Sequence, residues 1–178
     1  MAIIRITAPS ITGLVIPNTS INNASLDSVT ALPGGIDVGK IGQVINQTST
    51  VDLSTTSTSY SSIFSASITP SYTSSKILIT HTAPTYINLS NTSNMGNIAI
   101  FRDATNITTS GHNSSWHAYQ FTTNGNGVSI MYLDSPSTTS AISYSVQGKT
   151  DNASLTFKYN QGGGQPRMMS LTLMEVLA

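Results

Sequence analysis

Cysteine is absent from this 178-residue chain, which excludes disulfides and thiolate metal sites. Charge is scarce as well. Asp, Glu, Lys and Arg make up 8% of the residues, against about 25% in an ordinary domain. Glu175 is the only glutamate and Trp116 the only tryptophan. Seven basic residues balance seven acidic ones, for a net charge of zero. The basic residues are scattered from Arg5 to Arg167, so no cluster is available to condense onto phosphate, and nucleic acid is excluded as a partner. No apolar run approaches the roughly 18–20 residues that span a bilayer, and no membrane partner is expected. Met1-Ala2-Ile3-Ile4-Arg5 opens the chain without a long apolar run or a cleavage site, so no secretory signal is expected.

Serine and threonine stand where the charges are missing, at roughly three residues in ten, well above ordinary usage. Such a chain is poor in the residues that build long helices and perform acid–base chemistry. It is rich in residues suited to pleated sheets and turns. Hydrophobic residues make up 38% and the mean hydropathy is +0.03, enough apolar character to avoid disorder by composition. The length suits one domain with a sizeable core and room for an arm. A weakly charged surface gives little protection against self-association. Triplets such as Asn88-Leu-Ser and Asn106-Ile-Thr match glycosylation acceptors, but this composition produces them by chance.

Residues 1–43 differ from the remainder. Pro9, Pro17 and Pro33 interrupt them, and Gly13, Gly34 and Gly35 punctuate them. Asn18-Thr-Ser-Ile-Asn-Asn-Ala-Ser-Leu is polar with isolated apolar residues, too few to build a core alone. An extended N-terminal arm is expected here, ordered by lying on something else.

Residues 44–178 show short alternating runs between turn clusters. Candidate strands are Gln43–Gln47, Ile63–Ile68, Lys76–Ala83, Asn97–Arg102, Gly127–Leu133, Ala141–Gln147, Ser154–Tyr159 and Ser170–Val176. Period-two alternation, with one face buried and one wet, marks antiparallel sheet. Connectors such as Thr69–Ser75, Arg102–Asn106, Asp134–Thr138 and Asn160–Pro166 carry turn residues. The pattern predicts an all-β fold, an antiparallel two-sheet sandwich or jelly roll. Thr105–Phe121 reads as a long polar loop with a strand near Trp116–Phe121, and such loops are often contact surfaces.

Several constellations suggest chemistry. Gly34-Gly-Ile-Asp-Val-Gly-Lys-Ile matches the first seven positions of a phosphate-binding loop. Ile41 then stands where a Ser or Thr hydroxyl must hold magnesium. No buried strand precedes the motif and no helical pattern follows, so a glycine-rich hinge is expected. His112 and His117 lie in the long loop, with His81 and Asp103 elsewhere. A catalytic zinc needs three ligands on oriented elements, so no metal and no cofactor is expected. Serines abound, but the strand–elbow–helix setting of a Gly-x-Ser-x-Gly nucleophile is missing. The few carboxylates sit mostly in turns, where Asp serves the backbone. No positioned acid, base and stabiliser occur together, and a non-enzyme is expected. Trp116, Tyr119, Phe121 and Tyr132 read either as a sugar-binding patch or as half-buried sheet residues.

Ile68-Thr-Pro-Ser-Tyr-Thr-Ser-Ser-Lys-Ile-Leu-Ile, Leu133–Lys149 and Leu171-Thr-Leu-Met-Glu-Val resemble β-sandwich modules of tail-fibre and capsid-surface proteins from tailed phages of cyanobacteria and marine bacteria. Ile16-Pro-Asn-Thr-Ser-Ile-Asn-Asn-Ala-Ser looks like the segment preceding such modules. The resemblance implies a non-enzymatic homotrimer on the virion surface, made in the host cytoplasm. No fibre shaft is present: the chain has neither heptads nor a fibrous repeat. The expectation is a capsid decoration, or cement, protein. Its arm would anchor on the major capsid protein through Ile3, Ile4, Ile6, Leu14, Val15 and Ile16. The alternative is a short tail-fibre head docked on a tail protein, with Trp116, His117 and Tyr119 in a loop surface that touches a host glycan.

Overall fold

The computed structural model describes residues 40–84, 88–89, 95–108, 116–119, 127–160 and 167–177. The chain divides into units 1–38 and 39–178, and the strands of the described residues all belong to the second. The strands are β1 (Lys40–Ser49), β2 (Leu53–Thr55), β3 (Ser61–Ile68), β4 (Lys76–Pro84), β5 (Asn88–Leu89), β6 (Met95–Arg102), β7 (Thr105–Asn106), β8 (Trp116–Tyr119), β9 (Gly127–Asp134), β10 (Ile142–Thr150), β11 (Phe157–Tyr159) and β12 (Met169–Leu177).

The fold is all-β, a sandwich of antiparallel sheets. The first sheet has the order β1-β12-β4-β9. The second has the order β3-β10-β6-β7, with β8 also paired to β6. Leaving aside the short β2, β5, β7 and β11, the longer strands run in chain order as 1-8-3-6 in one sheet and 2-7-4-5 in the other. That is the strand order of a jelly roll. Among the described residues, β1 is an edge strand.

Alternation decides which side chains meet between the sheets. In β4, Ile77, Ile79, His81 and Ala83 are buried while Lys76 and Thr82 are exposed. In β12, Met169, Leu171, Leu173 and Glu175 share the inner face. The second sheet contributes Ile98 and Ile100 from β6 and Ile142, Tyr144 and Val146 from β10. Each fully buried Ile or Leu contributes about 1.5–3 kcal/mol. β3 keeps pace by a bulge. Val146 pairs with Phe64 and Gln147 with Ser62, which leaves Ile63 as the extra residue. Both Ile63 and Phe64 then pack against the core.

A third sheet has the order β2-β11-β5, and Phe157 and Tyr159 of β11 join the same core. Its strands are only two or three residues long. The Phe157 ring of β11 lies on Gly96 and Gly148, where any Cβ would run into it or into Leu53. The candidate strand Ser154–Tyr159 therefore shortens to its last three residues. Before them Asn152 makes a turn, accepting the Ser154 N–H at 2.9 Å on Oδ1 and the Leu155 N–H at 3.0 Å on its carbonyl.

The turn residues do what their types permit. Asp103 has φ 51°, Ser137 φ 53° and Asn160 φ 60°, a region that Asp and Asn enter more readily than most residues. Asp103 also ties its turn to β10. Its N–H donates to the Ser143 carbonyl at 2.8 Å and its Oδ1 accepts the Ser143 N–H at 3.1 Å.

Candidate functional site

The arm anchors Ile3, Ile4, Ile6, Leu14, Val15 and Ile16 lie outside the described residues, as do His112 and Phe121. So does Gly34–Gly39 of the glycine-rich motif; its Lys40 and Ile41 begin β1, paired with Leu177 and Val176. That lysine therefore stands in a strand. Trp116, His117 and Tyr119 form β8 together with Ala118, and the backbone of Trp116, His117 and Tyr119 pairs with Ile98, Asn97 and Met95 of β6. The strand expected near Trp116–Phe121 is present as Trp116–Tyr119. Tyr132 is on β9 with 37% of its surface exposed.

Among the described residues, the buried charged and imidazole groups lie elsewhere, in three junctions. In the first, His81 sits in the core with no exposed surface. Its Nδ1 is 2.8 Å from the Ser170 carbonyl, and its Nε2 is 2.8 Å from the Tyr159 hydroxyl. A carbonyl only accepts, so Nδ1 carries the proton and Nε2 takes the Tyr159 O–H. Burial pulls the imidazole down to about 4, against a small opposing pull from the Ser170 carbonyl. The ring is neutral at pH 7. Burial pushes the Tyr159 phenol up. Phe64 of β3 lies against the same imidazole, with ring centres 5.7 Å apart. One histidine thus joins all three sheets.

In the second junction, Asp134 at the end of β9 faces Arg102 of β6 and Tyr144 of β10. Arg102 Nη1 donates to both carboxylate oxygens at 3.0 Å, and the Tyr144 hydroxyl donates to Oδ2 at 2.6 Å. Burial, followed by the bond to Asp134, pushes the Tyr144 phenol up. This charge-assisted pair crosses from the first sheet to the second. The aspartate is mostly buried, and the arginine remains 30% exposed.

The third junction surrounds Glu175. Gln43 Nε2 donates to Oε2 at 2.8 Å, the Ser71 N–H to Oε1 at 2.5 Å and the Ser71 hydroxyl to Oε2 at 3.0 Å. Burial alone would raise this carboxyl. The donors from Gln43 and Ser71, helped by the nearby Ser75 hydroxyl, outweigh it and hold the group at about 2. Gln43 Nε2 also reaches the Thr69 carbonyl at 2.7 Å. The only glutamate therefore ties β12 to β1 and to the β3–β4 connection.

The chain matches no protein-family model and no curated protein.

Each buried ionisable side chain among the described residues is thus engaged by partners on other elements. Among the described residues, no three His, Asp or Glu side chains gather as metal ligands would. These three junctions hold strands and sheets together. Sequence reading passed over these junctions, although the signal was available. His81 is in phase with Ile77 and Ile79, and Glu175 with Leu171 and Leu173. A polar residue on the apolar phase of a strong strand is a buried polar residue, and it must find partners.

Proposed function

We propose that this chain is a non-enzymatic structural protein of a tailed-phage particle. It works as a trimeric surface module that decorates the capsid and is anchored by the residues that precede β1. One observation carries the structural part of the reading: His81, Asp134 and Glu175 each serve as a tie between strands or sheets. A catalytic group keeps a lone pair or a proton directed at a substrate. These three direct theirs at Tyr159 and Ser170, at Arg102 and Tyr144, and at Ser71 and Gln43. The similarity to phage surface modules supports the setting, and the charge-poor surface suits a life inside an assembly.

Decoration would work by mass action. A protein that binds only the assembled shell stabilises it by an amount that grows with the logarithm of its concentration over its dissociation constant. The test is a chain lacking residues 2–35. It is expected to keep the fold and the trimer and to lose particle binding. If the shortened chain still binds particles as tightly as the full chain, the anchoring role of the arm is refuted. If the full chain binds a tail preparation and not capsids, the fibre-head reading replaces decoration.

A further inference from the structure

A lysine, an asparagine and an aspartate converge on the outer face of the second sheet. Lys149 of β10 stands directly opposite Asn97 of β6, so both side chains leave the sheet on one face. Ile98 and Ile100 belong to the core between the sheets, and Asn97, one residue out of phase, faces away from it. Asn97 nevertheless has no exposed surface. Its Nδ2 donates to Asp151 Oδ1 at 2.6 Å. Its buried Oδ1 accepts no hydrogen bond among the described residues, and a stranded buried carbonyl calls for an explanation. The Asp151 N–H donates to the Met95 carbonyl at 3.0 Å, which fixes the aspartate beside the same strand. The Lys149 ammonium lies 5.1 Å from the centre of the Tyr60 ring. Burial, and after it the charge of Asp151, pushes the Tyr60 phenol up to about 12, so ammonium and carboxylate border one ring.

We propose that Lys149 and Asn97 become joined by an amide bond between their side chains, formed by the folded chain itself with Asp151 as proton carrier. Lysine holds its amine on a flexible four-carbon stem. Directly opposite residues have Cα atoms about 4.5–5.5 Å apart, so a rotamer change swings the amine from the Tyr60 ring to the Asn97 carboxamide. Asp151 takes a proton from the ammonium, and the freed amine attacks Cγ of Asn97. A Cγ–Nζ bond forms. Asp151 returns the proton to Nδ2, to which it is already hydrogen-bonded, the Cγ–Nδ2 bond breaks, and ammonia leaves. The surplus proton on the new amide nitrogen goes with the ammonia. One ammonium group and one carboxamide thus give one secondary amide and one ammonium ion, with no oxidant or reductant.

Three features of the site suit this reaction. The amine and the carboxamide are held opposite each other on paired strands, which replaces a bimolecular encounter. Water has no access to the Asn97 carboxamide, so hydrolysis does not compete. Asp151 is exposed, so the ammonia leaves on a side open to water. The product suits the chain as well. Without cysteine it cannot form a disulfide. An amide between β6 and β10 closes the loop from Asn97 to Lys149 and limits the unfolded chain as a disulfide would. The link stands independently of the virion reading.

The experiment is mass spectrometry of the purified full chain. The intact wild type is expected to weigh one ammonia less than its sequence. Asparagine–glycine pairs such as Asn124-Gly125 also shed ammonia when they cyclise, so a tryptic digest decides. Trypsin does not cut after an acylated lysine, and Ile77–Arg102 should appear joined to Asp103–Lys158. Lys149→Arg, which keeps a cation beside Tyr60, should abolish the joined peptide and lower the melting temperature. Asp151→Asn keeps both reacting groups and should slow the joining at least tenfold. Lys158→Arg is the control: Lys158 also stands opposite an asparagine, Asn88, and the joined peptide should survive its replacement. A wild type that yields Ile77–Arg102 and Asp103–Lys149 as separate peptides overturns the proposal, whether or not any variant folds. So does a joined peptide that persists in Lys149→Arg. Joining at full rate in Asp151→Asn overturns the role of the aspartate.

Discussion

The Ser71 N–H and the Glu175 carboxylate meet at 2.5 Å across 104 residues of sequence. The bond joins the β3–β4 connection to β12, and the Ser71 hydroxyl doubles it at 3.0 Å. A carboxylate that accepts several hydrogen bonds is held ionised, and this one is held at about 2.

Glu175→Gln should therefore destabilise the fold by about 1.5–3 kcal/mol, the usual worth of hydrogen bonds to a charged group. The new amide offers one acceptor in place of two, and its NH₂ must face a donor, either Gln43 or Ser71. Urea titration at pH 7 measures the loss. The sign of the acid dependence follows from the direction of the shift. The folded-state value lies below the ordinary carboxyl value of 4.5, so the contribution is whole above pH 4.5 and fades as pH falls towards 2. The glutamine variant should lack that slope.

His81 produces a separate and earlier acid window. Its value falls from 6.5 to about 4 on folding, so the unfolded chain binds the extra proton between those limits. Stability is whole above pH 6.5 and declines as pH falls towards 4, by about 3 kcal/mol in all. In His81→Phe that slope should vanish, whatever the other histidines contribute. The same variant strands the Ser170 carbonyl and the Tyr159 hydroxyl, at a cost of about 1–3 kcal/mol at pH 7. Adding Tyr159→Phe should recover part of the loss, and the double-mutant cycle should show coupling rather than additivity.

Asp134→Ala leaves Arg102 and the buried Tyr144 hydroxyl without their acceptor. Removing one member of a buried ion pair costs about 3–5 kcal/mol. The partial exposure of Arg102 trims this to about 2–4 kcal/mol. Tyr144→Phe, which keeps the ion pair, should cost about 1 kcal/mol. If the two variants lose the same amount, the ion pair does not bind the sheets together.

Gly96→Ala should destabilise by about 1–3 kcal/mol through overpacking against the Phe157 ring. Combining it with Phe157→Leu should relieve part of that cost. Gly127→Ala is the control, because its nearest atom is the Ala83 carbonyl at 3.9 Å. It should be close to neutral in thermal denaturation.

Much of this fold was legible in the sequence because its long strands alternate cleanly. Lys76–Ala83 reads as β4 from residue types alone, and the turn residues Asp103 and Asn160 adopt the positive φ that their types permit. The third sheet was not legible. Strands of two or three residues carry no period, and β11 is defined by where Phe157 finds two glycines to lie on. The bulge at Ile63 was hidden for a related reason: an extra residue is visible only against its partner strand. The junctions were half legible. Phase places His81 and Glu175 inside, but their partners Tyr159 and Ser71 lie 78 and 104 residues away. Pairing over that span is a property of the folded topology.

The claim that this is a particle-surface structural protein is tested most directly by imaging. Purified particles labelled with antibody against residues 44–178 can be viewed by electron microscopy. The account predicts label spread over the capsid. Particles that carry no label, while the chain accumulates in the lysate unassembled, would contradict it.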